Sequence, residues 1–386
     1  MLATLAPPRS WTGPVDATIA AVAAFGLPST RSFAADPLDS ESWVQAFTAI
    51  AAQRLDGLLM RAIKSGALPA TDEQRGSASA LHRRTMMRSL RLEGLLLDVV
   101  DSFKQHDIAY RVLKGSAIAQ TAYPDPSLRS FCDVDVLVPA SSFDAATATM
   151  AGHGAQRRYA EPRPGFDHRF SKGASFLTPD GLGIDLHRTF VLGPFGHTID
   201  IDGLFRVSRE FSMAGRTLVT MPLEETFVHV CLHTALGDWP PRLVPMRDVA
   251  QIAGIDALDL DRVHELARRW RATAPMAWSI LRVWDTFGLP THPLAEWARS
   301  YVPTRREQRG LALYMSSDRS YASMALASTR VVPGLFAKAA YLRALAVPSR
   351  TYVADRERTY RGRWHHATQL ALRRTKSSSR EQEAMS

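Results

Sequence analysis

The spacing of apolar side chains predicts helices at both ends of the chain and short strands between them. From residue 40 to 68 and from 72 to 109, apolar positions recur at the intervals of an amphipathic helix. From residue 222 the helical pattern returns and continues to about 374, punctuated by prolines. The sequence therefore favours a helix-rich protein with a mixed α/β core in the middle.

Four regions follow from this pattern. We expect an N-terminal helical region at 1–105, a core at 106–221, a C-terminal helical domain at 222–374 and a disordered polar tail at 375–386. Within the first region, 17–27 is apolar but too short to span a bilayer, so we expect a buried amphipathic helix there. Since nothing later reaches spanning length, we expect no stable membrane insertion.

The core is predicted to alternate short strands with short helices. A strand at 110–113 leads into a helix at 117–122, which must stop before Pro124 because the residue preceding a proline disfavours helical backbone. The later elements are a strand at 133–138, a helix at 141–152 capped by Ser141 or Ser142, a hairpin formed by 169–171 and 174–177, a strand around Asp185 and a hairpin-like region at 200–219.

Two carboxylates interrupt the otherwise apolar strand at 133–138. Buried strands rarely accept charge unless it is paired or bound to a metal, and residues two apart in a strand face the same side. Asp133 and Asp135 therefore project together, whereas Cys132 and Val134 face the other side. Because adjacent carboxylates repel each other, the pair requires a cation, and hard oxygen ligands suit Mg²⁺. Two aspartates in a turn are the weaker alternative, since apolar residues flank the pair.

A third carboxylate follows on a separate predicted strand. In the stretch 181–187, Asp185 and His187 share one face of the strand. A carboxylate from a neighbouring strand would complete a two-metal site of the kind that stabilises in-line displacement at phosphorus. We prefer Asp185 to Asp180, a turn residue, and to Asp167. His187 is predicted to contact the substrate or orient the carboxylate, and a structural role is the alternative.

Glycine and basic residues surround these carboxylates in the sequence. Gly115 and Ser116 stand at the start of a predicted helix, where glycine allows close approach of the backbone and free N–H groups attract anions. Lys114 adjoins this turn and Arg129 lies shortly before the strand that carries Asp133, so either could neutralise a triphosphate. The alternatives are an ordinary strand-to-helix turn and solvated surface charge.

Together these residues resemble a known family. A Gly-Ser turn, an Asp-x-Asp strand and a third Asp on a later strand form the pattern of the nucleotidyltransferase superfamily that includes DNA polymerase beta. Within it, three segments are similar to one bacterial branch, the uncharacterised nucleotidyltransferase family. They are residues 113–138 with their insertion at 123–130, the stretch Ile184-Asp185-Leu186-His187 and a helix over 222–233. The resemblance covers roughly residues 106 to 255.

The resemblance implies a helix-rich α+β fold, in which a DNA polymerase beta-like core with a mixed sheet is flanked by N-terminal helices and a C-terminal helical domain. It implies an Mg²⁺-dependent enzyme that binds ATP or another NTP, moves its nucleoside monophosphate to an acceptor hydroxyl and releases pyrophosphate. The implied metal ligands and catalytic residues are Asp133, Asp135 and Asp185, and the implied nucleotide contacts are Lys114, Gly115, Ser116 and Arg129.

The resemblance leaves the acceptor open among a small molecule, a peptide, a protein and RNA. Two other functions also stay open. One is a non-catalytic protein that keeps the fold and binds a nucleotide or a partner, and the other is a transferase that modifies RNA or DNA.

Composition adds context to this chemistry. The net charge of +9 and the pI of about 9.8 are compatible with nucleic acid, but the Arg- and Ala-rich composition of a high-GC bacterial genome explains them as well, so nucleic acid is not favoured. The presence of only two cysteines and an N-terminus unlike a signal peptide suit a bacterial cytoplasm.

His229 and His233 share a helix face but lack the Glu of a His-Glu-x-x-His zinc helix. Standard ATPases are disfavoured because no Gly-x-x-x-x-Gly-Lys-Ser/Thr loop is present.

Overall fold

The sheet of the core is mixed, as the sequence predicts. The structure is a computed structural model that describes residues 13–315 and 321–356, and within them seven strands form one sheet in the order β3-β4-β5-β2-β1-β7-β6. The strands are β1 (Arg111–Val112), β2 (Asp133–Leu137), β3 (Gln156–Arg157), β4 (Gly173–Leu177), β5 (Gly183–His187), β6 (Arg209–Met213) and β7 (Arg216–Thr220). The pairs β2–β5 and β1–β7 are parallel, and the other neighbouring pairs are antiparallel.

The register between β2 and β5 determines which side chains meet. Asp135 lies directly opposite Asp185, Asp133 opposite Gly183, and Leu137 opposite His187. Because side chains alternate along both strands, the carboxylates of β2 and β5 emerge on one face of the sheet. Val136 and Ile184 are fully buried on the other face.

From residue 13 onward, four helices precede the sheet: α1 (Pro14–Ala24), α2 (Ser40–Ala52), α3 (Asp56–Lys64) and α4 (Asp72–Gln105). Helix α2 begins after Asp39, whose side chain accepts a hydrogen bond from Ser42 N at 2.9 Å, and α4 begins with a capping box between Thr71 and Gln74. The helical pattern at 40–68 contains a break, because the backbone of Arg54 adopts a φ of 57° between α2 and α3.

Four short helices lie between the strands, and nine follow the sheet within the described residues. The first set is α5 (Lys114–Ala122), α6 (Phe143–Gly152), α7 (Phe166–Phe170) and α8 (Ile201–Leu204). The second set is α9 (Leu223–Leu236), α10 (Leu243–Ala253), α11 (Leu260–Arg269), α12 (Thr273–Phe287), α13 (Pro293–Ser300), α14 (Arg305–Ala312), α15 (Tyr321–Ser328), α16 (Leu335–Ala346) and α17 (Arg350–Arg356). No described helix is both long and apolar enough to cross a bilayer.

Apolar side chains form two large cores and one small core. One large core joins the sheet to α4 and α6, with Phe103 and Phe143 fully buried. The other joins α1–α3 to α9–α14, so the N-terminal helices pack against the C-terminal helices. A smaller cluster joins Phe166 and Phe170 of α7 to Tyr341 of α16. The division at residues 105, 221 and 374 stays a prediction.

Two of the expected local elements differ from the structure. Residues 169–171 do not form a strand, because α7 continues to Phe170. The hairpin in this region is formed by β4 and β5, and β5 contains Asp185. The region 200–219 contains α8 as well as the hairpin of β6 and β7. The predicted tail at 375–386 and the last residues of the predicted C-terminal domain lie outside the described residues.

Candidate active site

Asp135, in the middle of β2, has short contacts with two basic side chains. Its Oδ1 atom lies 2.7 Å from Lys114 Nζ and 2.6 Å from His187 Nε2, and only 6% of the residue is exposed. Burial acts to raise the pKa of this carboxyl, but Lys114 and His187 outweigh burial and hold the pKa well below its usual range. Asp135 is therefore ionised at neutral pH. Since both contacts fall on Oδ1, Oδ2 remains for a ligand from the cavity.

Asp133 and Asp185 line the same cavity as Asp135. Burial raises the pKa of Asp133, and the charge of Asp135 raises it further. Asp185 is half-buried, and its Oδ1 accepts a hydrogen bond from Ser175 Oγ at 2.6 Å. Ser175 lies opposite Asp185 on β4, so the antiparallel pairing of β4 and β5 positions this hydroxyl. All three carboxylates therefore face one cavity on one side of the sheet.

One ligand atom from each of Asp135, Asp185 and His187 lies within 4.8 Å of the other two, a spacing that suits a metal ion. This set differs from the expected trio, because His187 replaces Asp133. His187 follows Asp185 by two residues, shares its face and reaches back to Asp135. Since Asp135 is ionised, His187 Nε2 donates the hydrogen bond, and its buried Nδ1 has no hydrogen-bond partner among the described residues.

The first two residues of α5 have an unusual backbone. Lys114 has a φ of 40°, and Gly115 has a φ of 21° with a ψ of −111°. A Cβ on Gly115 would lie 3.4 Å from Cβ and Cγ of Phe131, in a conformation that L-amino acids rarely adopt. Gly115 lines the cavity, but Ser116 is buried in the first turn of α5 and is absent from the cavity lining.

Arg129 lines the cavity, but its guanidinium is engaged elsewhere. Nε and Nη2 donate to the two carboxylate oxygens of Asp248 in α10, at 3.0 and 2.8 Å, and Nη1 donates to Ser130 O at 2.7 Å. Tyr123 Oη also donates to Asp248, at 2.9 Å. This buried network connects the segment before β2 to α10. Arg129 therefore has a structural role that the sequence analysis did not predict.

Three cations of the cavity, Lys172, Arg54 and Arg242, were absent from the sequence prediction. Lys172 lines the cavity, and burial together with the charge of Lys114 lowers its pKa. Its side chain has no hydrogen bond or ion pair with the described residues. Arg54 lines the opposite wall and lowers the pKa of Asp133 through its charge. Strand alternation could not identify Lys172, because β4 begins only at Gly173.

The cavity has a volume of about 180 Å³ and lies between the sheet and the helices that follow it. Its helical side consists of His233, Asp238, Arg242, Val244 and Pro245. Arg242 Nε lies 2.8 Å from Asp238 Oδ2 in an ion pair with both side chains about half exposed. Asp133, Asp135 and Asp185 thus lie on the sheet side of the cavity, and the Asp238–Arg242 ion pair lies at its rim.

The two histidines of α9 do not form a zinc site with the described residues. Burial holds the pKa of His229 and of His233 well below the usual value, so both are neutral at pH 7. The ring of His229 stacks on Phe190 with centroids 4.2 Å apart, as expected of a packed histidine. His233 reaches the cavity lining.

Comparison with known proteins agrees with this arrangement. The sequence profile described as uncharacterised nucleotidyltransferase matches residues 39–288, well over half of the chain. The chain belongs to the uncharacterised nucleotidyltransferase family. The match extends beyond the residues 106–255 that carry the resemblance in the sequence, and includes α2–α4 and α9–α12. No curated protein sequence matches this family member.

Two solved structures are similar to this family member at low identity. One is the antibiotic-resistance factor ANT(2'')-Ia, with 14% identity, a TM-score of 0.34 and coverage of 48% of this chain and 93% of that chain. The other is an antigenic nucleotidyltransferase-like protein from Paracoccidioides brasiliensis, with 12% identity, a TM-score of 0.32 and coverage of 59% of this chain and 92% of that chain. The expected family is confirmed by the profile match, and the expected helix-rich α+β fold by the mixed sheet and its flanking helices.

Proposed function

We propose that the protein transfers a nucleoside monophosphate from an NTP to an acceptor hydroxyl in an Mg²⁺-dependent reaction that releases pyrophosphate. The observation that carries the proposal is that three carboxylates and two lysines line one cavity: Asp133, Asp135 and Asp185, with Lys114 and Lys172. Both signs of charge suit a metal–triphosphate complex, since carboxylates bind the cation and lysines bind phosphates. Membership of a nucleotidyltransferase family supports the same reaction.

The residues present fit a divalent cation. Ligand atoms of Asp135, Asp185 and His187 are already within 4.8 Å of one another, and Asp133 lies on the same cavity wall. Burial and the charge of Asp135 raise the pKa of Asp133, so the pair of carboxylates on β2 is electrostatically strained without a further cation. We propose Asp133, Asp135 and Asp185 as the ligands. Bound Mg²⁺ would supply the charge that stabilises the phosphoryl oxygens during transfer.

The lysines and the glycine of the cavity are proposed to bind the triphosphate. Gly115 lines it without a side chain, and the start of α5 offers free backbone N–H groups, which attract anions. The half-buried side chain of Lys172 forms no hydrogen bond or ion pair with the described residues, so its ammonium is available to bind a phosphate. We propose Lys172 as the principal phosphate ligand, with Lys114 shared between Asp135 and the substrate.

Asp185 is proposed to accept the proton of the acceptor hydroxyl. Ser175 donates to its Oδ1, which fixes the orientation of the carboxylate. The cavity volume of about 180 Å³ is below the range of about 300–1,000 Å³ that is common for ligand pockets. We therefore place the metal and the triphosphate inside the cavity, and the nucleoside and the acceptor at its mouth.

The test is transfer of label from each of the four α-³²P-labelled NTPs to small-molecule, peptide and RNA fractions, with Mg²⁺ or with EDTA. Asp135→Asn is expected to abolish label transfer and pyrophosphate release. The matched control is Asp180→Asn, because Asp180 is an exposed carboxylate that pairs with Arg91 and lies outside the cavity lining.

Two outcomes would contradict the proposal, and a third would identify RNA as the acceptor. Unchanged transfer by Asp135→Asn refutes the assigned site. NTP binding without transfer to any fraction favours a non-catalytic binding protein that keeps the fold. Label found only on RNA, together with RNA binding that weakens steeply with salt, favours the RNA-modifying alternative.

A further inference from the structure

A second cavity, of about 410 Å³, lies on another side of the core. It is bounded by the loop before α6, by α7, by the end of β5 and by the turn before α16. Its lining residues are Ala140, Ser141, His168, Arg169, Phe170, Arg188, His197, Val332, Pro333 and Ala337. None of these lines the candidate active site, so the two cavities are separate.

The charges that face this second cavity have one sign. Two arginines and two histidines line it, and no carboxylate does so among the described residues. His168 Nδ1 lies 3.0 Å from Asp144 Oδ2, but that carboxylate is exposed and outside the lining. Burial lowers the pKa of His197 to about 4, so His197 is neutral at pH 7 and the two arginines carry the charge.

Arg188 is the central group, because it is half-buried at the cavity and its guanidinium is largely unpaired. Its Nε donates to Ser171 O at 2.8 Å, and it forms no other side-chain hydrogen bond or ion pair with the described residues. Burial lowers its pKa to about 10, so it stays protonated at neutral pH. The acidic group that acts on Arg188 through its charge is Asp167, which is already ion-paired with Arg157.

Three other arginines in the interior of this protein use both of their terminal nitrogens as hydrogen-bond donors. Arg129 forms a bidentate pair with Asp248, and Arg111 donates to the carbonyl oxygens of residues 110, 205 and 207. Arg247 donates to two carbonyl oxygens and to Gln251. The two terminal nitrogens of Arg188, by contrast, form no hydrogen bond with the described residues, so they can donate to a bound anion.

The rest of the second cavity is apolar. Phe170, Val332, Pro333 and Ala337 form a wall beside the arginines, and Arg169 extends over the ring of Phe170 at 4.8 Å. The volume falls in the range of about 300–1,000 Å³ that is common for small-molecule pockets. An inorganic ion alone would leave this apolar wall unfilled.

We propose that this second cavity binds a small organic anion, whose phosphate or carboxylate group pairs with Arg188 and Arg169 and whose apolar part packs against Phe170 and Val332. Arginine suits both groups, because its planar fork donates two parallel hydrogen bonds to either one. This site is separate from the proposed NTP site and does not depend on the proposed transfer reaction.

The test is calorimetric titration of the full-length protein with phenyl phosphate and with benzoate, using phenol as the uncharged comparison. We expect saturable binding of at least one anion and none of phenol. Arg188→Gln and Arg169→Ala should each weaken that binding about tenfold or more, which corresponds to about 1.4 kcal/mol. Ala337→Trp should abolish binding by filling the cavity. Because this variant keeps Arg188, it still tests the proposal if Arg188→Gln fails to fold.

Two controls locate the bound anion. Lys172→Ala removes the proposed phosphate ligand of the candidate active site and should leave the binding that depends on Arg188 and Arg169 unchanged, as should Arg306→Ala at an exposed position on α14. Preference for phenyl phosphate or for benzoate then identifies the anionic group. Absence of saturable binding overturns the proposal, and so does binding that is lost in Lys172→Ala but retained in Arg169→Ala and Ala337→Trp.

Discussion

Asp133 and Asp135 are equivalent by strand alternation, yet the structure predicts opposite effects when each is neutralised in metal-free protein. Burial and the charge of Asp135 raise the pKa of Asp133 above its unfolded value. The folded state therefore retains the proton of Asp133 more strongly, and stability decreases as pH rises through the raised pKa. Asp133→Asn removes this penalty, so stability at pH 7 should hold or rise.

Asp135→Asn should destabilise the same metal-free protein. Lys114 is only 9% exposed, and removing one partner of a buried ion pair costs about 3–5 kcal/mol. The side-chain amide of Asn keeps an oxygen that can accept hydrogen bonds from Lys114 Nζ and His187 Nε2. We therefore expect a loss of stability at the lower end of this range, about 3 kcal/mol. At roughly 2 °C for each kcal/mol, a rate suited to a chain of this length, the Tm should decrease by about 6 °C.

Urea and thermal unfolding in EDTA at pH 7 measure both effects. The double variant Lys114→Met with Asp135→Asn removes both charges and should recover about 1 kcal/mol or more relative to Asp135→Asn alone. Asp180→Asn serves as the exposed control, with a change within about 0.5 kcal/mol. The reasoning is refuted if Asp135→Asn is as stable as the wild type, or if Asp133→Asn loses as much stability as Asp135→Asn.

Four further predictions concern the site and its surroundings. Gly115→Val should abolish NTP binding, because a branched side chain is strained at a φ of 21° and occupies the phosphate turn; calorimetry that finds wild-type affinity would contradict this. Lys172→Ala should weaken NTP binding about tenfold and leave nucleoside binding unchanged, and equal losses for both ligands would argue against a phosphate contact. Asp185→Asn should lower kcat by about a hundredfold or more with little effect on NTP affinity, which steady-state kinetics and calorimetry separate. Because burial lowers the pKa of His197 to about 4, stability should be retained above pH 6.5 and decrease by roughly 2–3 kcal/mol as pH falls to 4; unfolding of His197→Asn at pH 7 and at pH 4 should show a smaller difference, and an equal difference would refute the assignment.

The carboxylates of the site could be predicted from the sequence because their arrangement depends on a local rule. Alternation along a strand places Asp133 with Asp135, and Asp185 with His187, whatever the rest of the fold does. The parallel pairing of β2 with β5 then brings Asp133, Asp135 and Asp185 to one cavity. The helix over 223–236 was likewise predictable from its apolar pattern.

The cations could not be predicted in the same way, because their roles depend on distant partners. Arg129 pairs with Asp248, which lies 119 residues further along the chain, and no local pattern indicates that pairing. Lys172 reaches the cavity from a segment before β4 where strand alternation does not apply. The packing of α1–α3 on α9–α14 is also non-local, since the periodicity of a helix shows which face is buried but not against which partner.

The tie between Arg129 and Asp248 has a mechanical consequence for the active site. It fixes α10, whose first turn contributes Val244 and Pro245 to the cavity, to the segment that leads into β2. Breaking this buried pair costs about 3–5 kcal/mol, whereas the half-exposed pair of Asp238 and Arg242 at the rim contributes about 1 kcal/mol or less. The cavity is therefore held more firmly beside α10 than at residues 238–242, where it can widen at a lower cost in free energy.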